Sequence, residues 1–190
     1  MPGTSGRRHD RVLLDALEAS EPEAFRGPAW RVTGEGRDPL RGSTAGGRWS
    51  PPGSFEVLYT SLTAEGALAE IGYRLSLEPV WPSRVRHAIH RIGAVTQRTL
   101  RLADVGVLAG LGVDTAGYGG FDYAGTQAVA AAAYFLEFDG MIVPSARAAA
   151  LNLVLFTERL RGETALVVEE TRAVDWETWR GRRRLSPRGG

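Results

Sequence analysis

Apolar runs of strand length and apolar stripes of helical spacing follow one another along this chain without a regular alternation. That order limits the fold more than any other feature. A doubly wound parallel sheet needs each strand to be followed by a helix, so the expected class is α+β, with mixed strands and flanking helices. Val12, Leu13, Ala16 and Leu17 form one helical stripe between Asp10 and Ala19, and Pro22 and Pro28 then break the chain. Ala29–Thr33 and Val57–Ser61 read as strands. Gly34–Gly53 lies between them, a glycine- and proline-rich stretch with little apolar periodicity. Loops of that length are uncommon in compact domains and tend to be functional when ordered.

Thr63 is placed to cap a helix running to about Leu77, with Ala64, Ala67, Leu68, Ile71 and Leu75 on one face. Glu70 falls roughly 110° from the centre of that stripe, on its flank, where a carboxylate can look into a cleft. Further strands are expected at Val85–Ile92 and Thr99–Leu102, then a short helix after Asp104 and a glycine-rich turn at Gly117–Gly120. An alanine-rich helix should span Tyr123–Leu136. Strand-like runs return at Gly140–Val143, Leu153–Thr157 and Leu166–Glu170.

Composition removes several kinds of chemistry. The chain has 190 residues, enough for one domain with a core. It has no cysteine, so disulfides, thiolate catalysis and zinc–thiolate sites are excluded. Three histidines occur, His9, His87 and His90, and the last two should point to opposite faces of a strand, which argues against a histidine metal site. No metal is expected. All 23 basic residues are arginine, so a P-loop lysine is absent; GxGxxG and GxSxG are absent too. Residues 1–179 carry 18 arginines against 22 acidic residues, a net of −4, while residues 180–190 hold five arginines and no acid. The cationic excess therefore sits in a tail that composition marks as irregular, which argues against nucleic-acid binding. The longest strongly apolar stretch, Gln127–Leu136, is too short to cross a bilayer, and the N-terminus shows no secretory pattern. A cytoplasmic location is expected.

What remains is arginine, carboxylate, tyrosine and serine. Arginine forks bind phosphates, and a carboxylate can stabilise positive charge developing on a sugar. Taken singly, each candidate also has an ordinary structural use. Arg31 could be an ion-pair residue, Tyr59 a core ring, Glu70 a solvated carboxylate, and Ser145 a turn residue after Pro144. Asn152 could be a cap and Arg147 a solvated charge. The residues alone reach only an α+β domain that binds an anion.

Their order along the chain adds more. The segments WRV at 30–32, AGGRWSPPG at 45–53, VLYTSLTAEGALAE at 57–70 and DGMIVPSARAAALNLVLF at 139–156 resemble the RES domain family, named for its arginine, glutamate and serine. The resemblance covers most of the chain and places the domain at 25–172. An extension with a short helix precedes it at 1–24, and the arginine-rich tail follows at 173–190. On the matching positions, Arg31, Tyr59, Glu70 and Ser145 would be catalytic, and Arg48, Arg147 and Asn152 would bind substrate. The resemblance implies a fold like that of ADP-ribosyltransferases and a toxin of a bacterial toxin–antitoxin pair that cleaves the nicotinamide–ribose bond of NAD. Arg31 and Arg48 would hold the diphosphate, Tyr59 would stack near nicotinamide, and Glu70 would support the ribosyl cation. Ser145 would help hold the nicotinamide side. The partner would be an Xre-class helix-turn-helix antitoxin, and the toxin a homodimer within that complex. The ADP-ribose could pass to water, to phosphate or to a protein. Ala148–Ala150 stands where the family is often glycine-rich, which keeps a non-catalytic binding module as the rival reading.

Overall fold

A computed structural model describes residues 10–162 and 165–185. His9 and the rest of the first nine residues of the N-terminal extension lie outside the described residues, as do 186–190 at the end of the tail. The elements are α1 (Arg11–Glu18), β1 (Glu23–Gly34), β2 (Val57–Ser61), α2 (Ala64–Ser76), β3 (His87–Arg101), α3 (Val105–Gly110), α4 (Ala124–Phe135), β4 (Gly140–Pro144), β5 (Leu151–Phe156), a 3-10 turn (Thr157–Arg159), β6 (Leu166–Ala173) and α5 (Trp176–Leu185). This is a mixed sheet with flanking helices.

The strand order is β1-β2-β5-β4-β3-β6, and β1 also pairs with β3. The pairings β1–β2–β5–β4–β3–β1 thus form a closed circuit, with β6 added to β3 outside it. Among the described residues only β3–β4 is parallel. The apolar alternation along the strands sets which side each residue serves. Leu58, Ile142, Leu153 and Leu155 pack together on one side of the circuit. Val57, Met141, Val143, Val154 and Phe156 face the other, where α4 lays Val129 to Ala133 and α1 lays Leu13 and Leu17 over them. A third cluster joins α2 and α5 to the sheet through Val32, Ala67, Ile89 and Trp176.

Several sequence expectations are corrected by tertiary pairing. The expected strand Ala29–Thr33 extends to Glu23–Gly34, because β3 supplies partners along its whole length. Pro28 is tolerated there, since β1 pairs on its other edge only at Trp30↔Ser61. The strands expected at Val85–Ile92 and Thr99–Leu102 are one 15-residue strand, held by β1 on one edge and by β6 and then β4 on the other. The arginine-rich tail is not irregular throughout: Trp176–Leu185 is helical, docked by the Trp176 and Trp179 rings. Local signals held elsewhere. The Thr63 hydroxyl accepts from the Gly66 N–H and caps α2 as its position predicts.

Candidate active site

α2 buries its small residues Gly66, Ala67, Ala69 and Gly72, which lets it lie close to the sheet and α5. No space remains for a side chain: a Cβ on Gly66 would sit 2.2 Å from the Ser61 hydroxyl. That close approach brings the flank residue Glu70 to the ends of β4 and β5. Its Oε1 accepts from the Ser145 hydroxyl at 2.7 Å and from the Asn152 Nδ2 at 3.1 Å. Ser145 is itself oriented, because its Oγ also accepts from the backbone N–H groups of Arg147 (3.1 Å) and Ala148 (3.2 Å). With those two donors pointing at the oxygen, the hydroxyl proton is directed to Glu70. Both side-chain bonds fall on Oε1, leaving Oε2 for a ligand.

The Ser145–Ala150 turn closes on itself through Ser145 N–H donating to the Ala150 carbonyl at 2.8 Å. None of its residues has a positive φ. Alanine is therefore unstrained at 148–150, where glycine's freedom is not required.

Glu70 borders a cavity of about 560 Å³, within the size range of small-molecule sites. Arg31, Arg48, Arg74 and Arg147 also line it, so four arginines share the cavity with this carboxylate. Half-buried Arg31 donates to the Pro39 carbonyl at 3.2 Å. Burial lowers its pKa, opposed by Asp38 and Glu56, and the group stays cationic. Arg48 lies between the Tyr118 and Tyr123 rings, 4.8 Å from each centroid, and donates to the Gly120 carbonyl at 3.0 Å. Arg147 stacks over Tyr73 at 3.5 Å.

Tyr59 belongs to the same wall, on the face shared with Val154 and Asn152. Its hydroxyl accepts from the Trp49 N–H at 3.0 Å, and burial pushes its pKa up to about 12. The phenol therefore stays protonated near neutral pH and is no general base. It anchors the Gly34–Gly53 stretch to the cavity wall. Buried Trp49 is its core, and Gln127 of α4 donates to the Gly47 carbonyl at 2.9 Å. Gly47 must lack a side chain, since a Cβ would meet the Tyr59 hydroxyl at 2.8 Å.

All seven sequence candidates thus converge. Six line the cavity, and Ser145 reaches it through Glu70. Sequence reasoning missed Arg74, four residues after Glu70 on the same helix face, and the rings of Tyr73, Tyr118 and Tyr123 that hold the arginines. The spacing of Arg74 was a usable signal; the ring partners had none, because they meet the arginines only through the fold. Neither described histidine enters the cavity. Both ring nitrogens of His90 bond threonines, Thr33 and Thr171, at 2.9 Å, and His87 accepts from the Trp176 indole N–H at 3.1 Å.

The RES domain model matches residues 28–177. The chain belongs to the RES domain family. It is 27% identical over 158 residues to the NAD(+) phosphorylase MbcT of Mycobacterium tuberculosis, covering 80% of this chain and 85% of that one, and equally to MbcT of Mycobacterium bovis. A probable NAD(+) phosphorylase of M. tuberculosis is 34% identical over 141 residues, covering 70% of this chain and 66% of the other. The crystal structure of the M. tuberculosis MbcT–MbcA toxin–antitoxin complex superposes with a TM-score of 0.81 at 25% identity, covering 92% of this chain and 98% of that one. This RES protein therefore shares its fold across nearly its whole length with a toxin from such a complex.

Proposed function

We propose that this RES protein is a toxin that consumes NAD by phosphorolysis, releasing nicotinamide and ADP-ribose 1″-phosphate. The observation that carries the reading is Glu70, fixed through Oε1 by Ser145 and Asn152 in a cavity that Arg31, Arg48, Arg74 and Arg147 also line. The arginines suit the diphosphate, with Arg31 and Arg48 at its binding wall. As the ribose C1′–N bond breaks, its electron pair moves to the pyridinium nitrogen and neutral nicotinamide leaves without an acid. Positive charge builds on the ribosyl carbon, and the free Oε2 of Glu70 stabilises it. A phosphate oxygen then forms the new bond to C1′. Tyr59, protonated and rigid, forms an aromatic wall for the nicotinamide half.

The similarity to the NAD(+) phosphorylases MbcT supports phosphate over water or a protein as acceptor. The same family supports reading the fold as ADP-ribosyltransferase-like, and an Xre-class antitoxin as the partner that covers the site. β6 pairs only with β3 among the described residues, and that open edge supports the reading of a homodimer within that complex. Incubation with NAD, with and without phosphate, tests the reading by nicotinamide release and mass analysis of the product. Folded protein that releases no nicotinamide at any enzyme level overturns it. A labelled protein band from lysate and labelled NAD would favour transfer to protein instead.

A further inference from the structure

A second hollow, of about 460 Å³, lies on the other side of α2, between it, Trp81 and α5. Arg147, Arg180 and Arg183 reach into it. Each stands over an aromatic ring. Arg147 is 3.5 Å from the centroid of Tyr73, Arg180 is 4.3 Å from Trp81, and Arg183 is 5.0 Å from Trp179. A ring holds a guanidinium in place while leaving its charge uncancelled and its N–H fork available. The carboxylates nearby neutralise little of this. Glu65 approaches Arg183 only at 4.0 Å, and both its oxygens accept from the Trp179 indole N–H, at 3.1 and 3.2 Å. Among the described residues, Glu78 is the one carboxylate lining the hollow, against three arginines.

Tyr73 and Arg147 line both this hollow and the NAD cavity. One guanidinium therefore borders the two spaces. Three guanidinium forks lining one hollow, each held against a ring and short of counter-charge, match a tetrahedral dianion better than an apolar ligand. We propose that the hollow is a second substrate site, in which Arg147, Arg180 and Arg183 bind inorganic phosphate beside the NAD cavity. The acceptor role of that phosphate rests on the phosphorolysis reading; its binding does not.

The test uses the full chain and inorganic phosphate, first by calorimetry and tryptophan fluorescence without NAD, since Trp81 and Trp179 wall the hollow. Saturable binding is expected, weakened about tenfold or more in an Arg180→Gln/Arg183→Gln variant that retains its helical circular dichroism. In turnover the same variant should raise KM for phosphate by a similar factor and leave KM for NAD unchanged. Should that variant lose helix, Arg180→Gln alone, with a threefold or greater loss of phosphate affinity, replaces it. Unchanged phosphate affinity overturns the proposal. So does a rise in KM for NAD with KM for phosphate fixed, which would make the hollow a dinucleotide subsite. If wild-type turnover is indifferent to phosphate, the phosphorolysis reading fails alone, and the calorimetric comparison still decides the site.

Discussion

Replacing Ser145 by alanine isolates the device that fixes Glu70. The substitution removes the 2.7 Å bond to Oε1 and keeps the 3.1 Å bond from Asn152, so the carboxylate loses one of its two anchors. A hydrogen bond to a charged group contributes about 1.5–3 kcal/mol. The part of it that orients Glu70 toward the ribosyl carbon appears in the transition state, so kcat should fall about 10–100-fold. KM for NAD should change less than about threefold, because the arginines that hold the diphosphate are untouched. The N–H groups of Arg147 and Ala148 lose their acceptor, but the turn is half-buried and water can replace it. The stability cost should stay near 1–2 kcal/mol, a fall in Tm of about 2–8 °C for a domain of this size. Steady-state kinetics at saturating phosphate, paired with thermal melts, provide the assay. A folded Ser145→Ala protein with wild-type kcat would refute the anchoring role. So would a raised KM with unchanged kcat, since that would assign Ser145 to binding.

Glu70→Gln preserves shape and removes the charge, so turnover should drop about 10²–10⁴-fold with NAD binding retained; nicotinamide release near wild-type rates would remove Glu70 from the chemistry. Tyr59→Phe deletes the acceptor of the Trp49 N–H and should cost about 1–3 kcal/mol in chemical denaturation, loosening the 43–53 segment; a variant as stable as wild type would mean the bond contributes nothing. Gly66→Ala places a methyl 2.2 Å from the Ser61 hydroxyl and 3.1 Å from the Ala150 side chain, and should destabilise by about 1–3 kcal/mol, read as a lower denaturant midpoint. Burial lowers the pKa of both His87 and His90, with Arg31 adding to the effect at His90. Neutral rings are thus favoured in the folded state. Their contribution is complete above about pH 6.5 and is lost as pH falls through the folded values, so Tm should drop from pH 7.5 to 5.5. His87→Gln should flatten that slope, because protonated His87 cannot accept from the Trp176 indole; an identical slope would dismiss it.

The sequence by itself determined what is local. Thr63 and Asp104 announce the starts of α2 and α3 because a capping side chain reaches only two or three residues along its own chain. The flank position of Glu70 follows from the helical period, and the order of the four motifs identified the family. Tertiary structure alone decided the rest. The two bonds that fix Glu70 cross 75 and 82 residues, and no periodicity encodes a meeting at that separation. They exist because β5 pairs with both β2 and β4, setting Asn152 opposite Ser61 and Val143 and carrying Ser145 to the same end. The tail was misread for a related reason. Its arginines predict solvation, but Trp176 and Trp179 bury against β3 and α2, and packed tryptophan outweighs charge on the opposite face. Whether a charge is solvated or held against a ring depends on what the fold brings beside it, which is why the aromatic supports of Arg48, Arg147 and Arg180 became visible only in three dimensions.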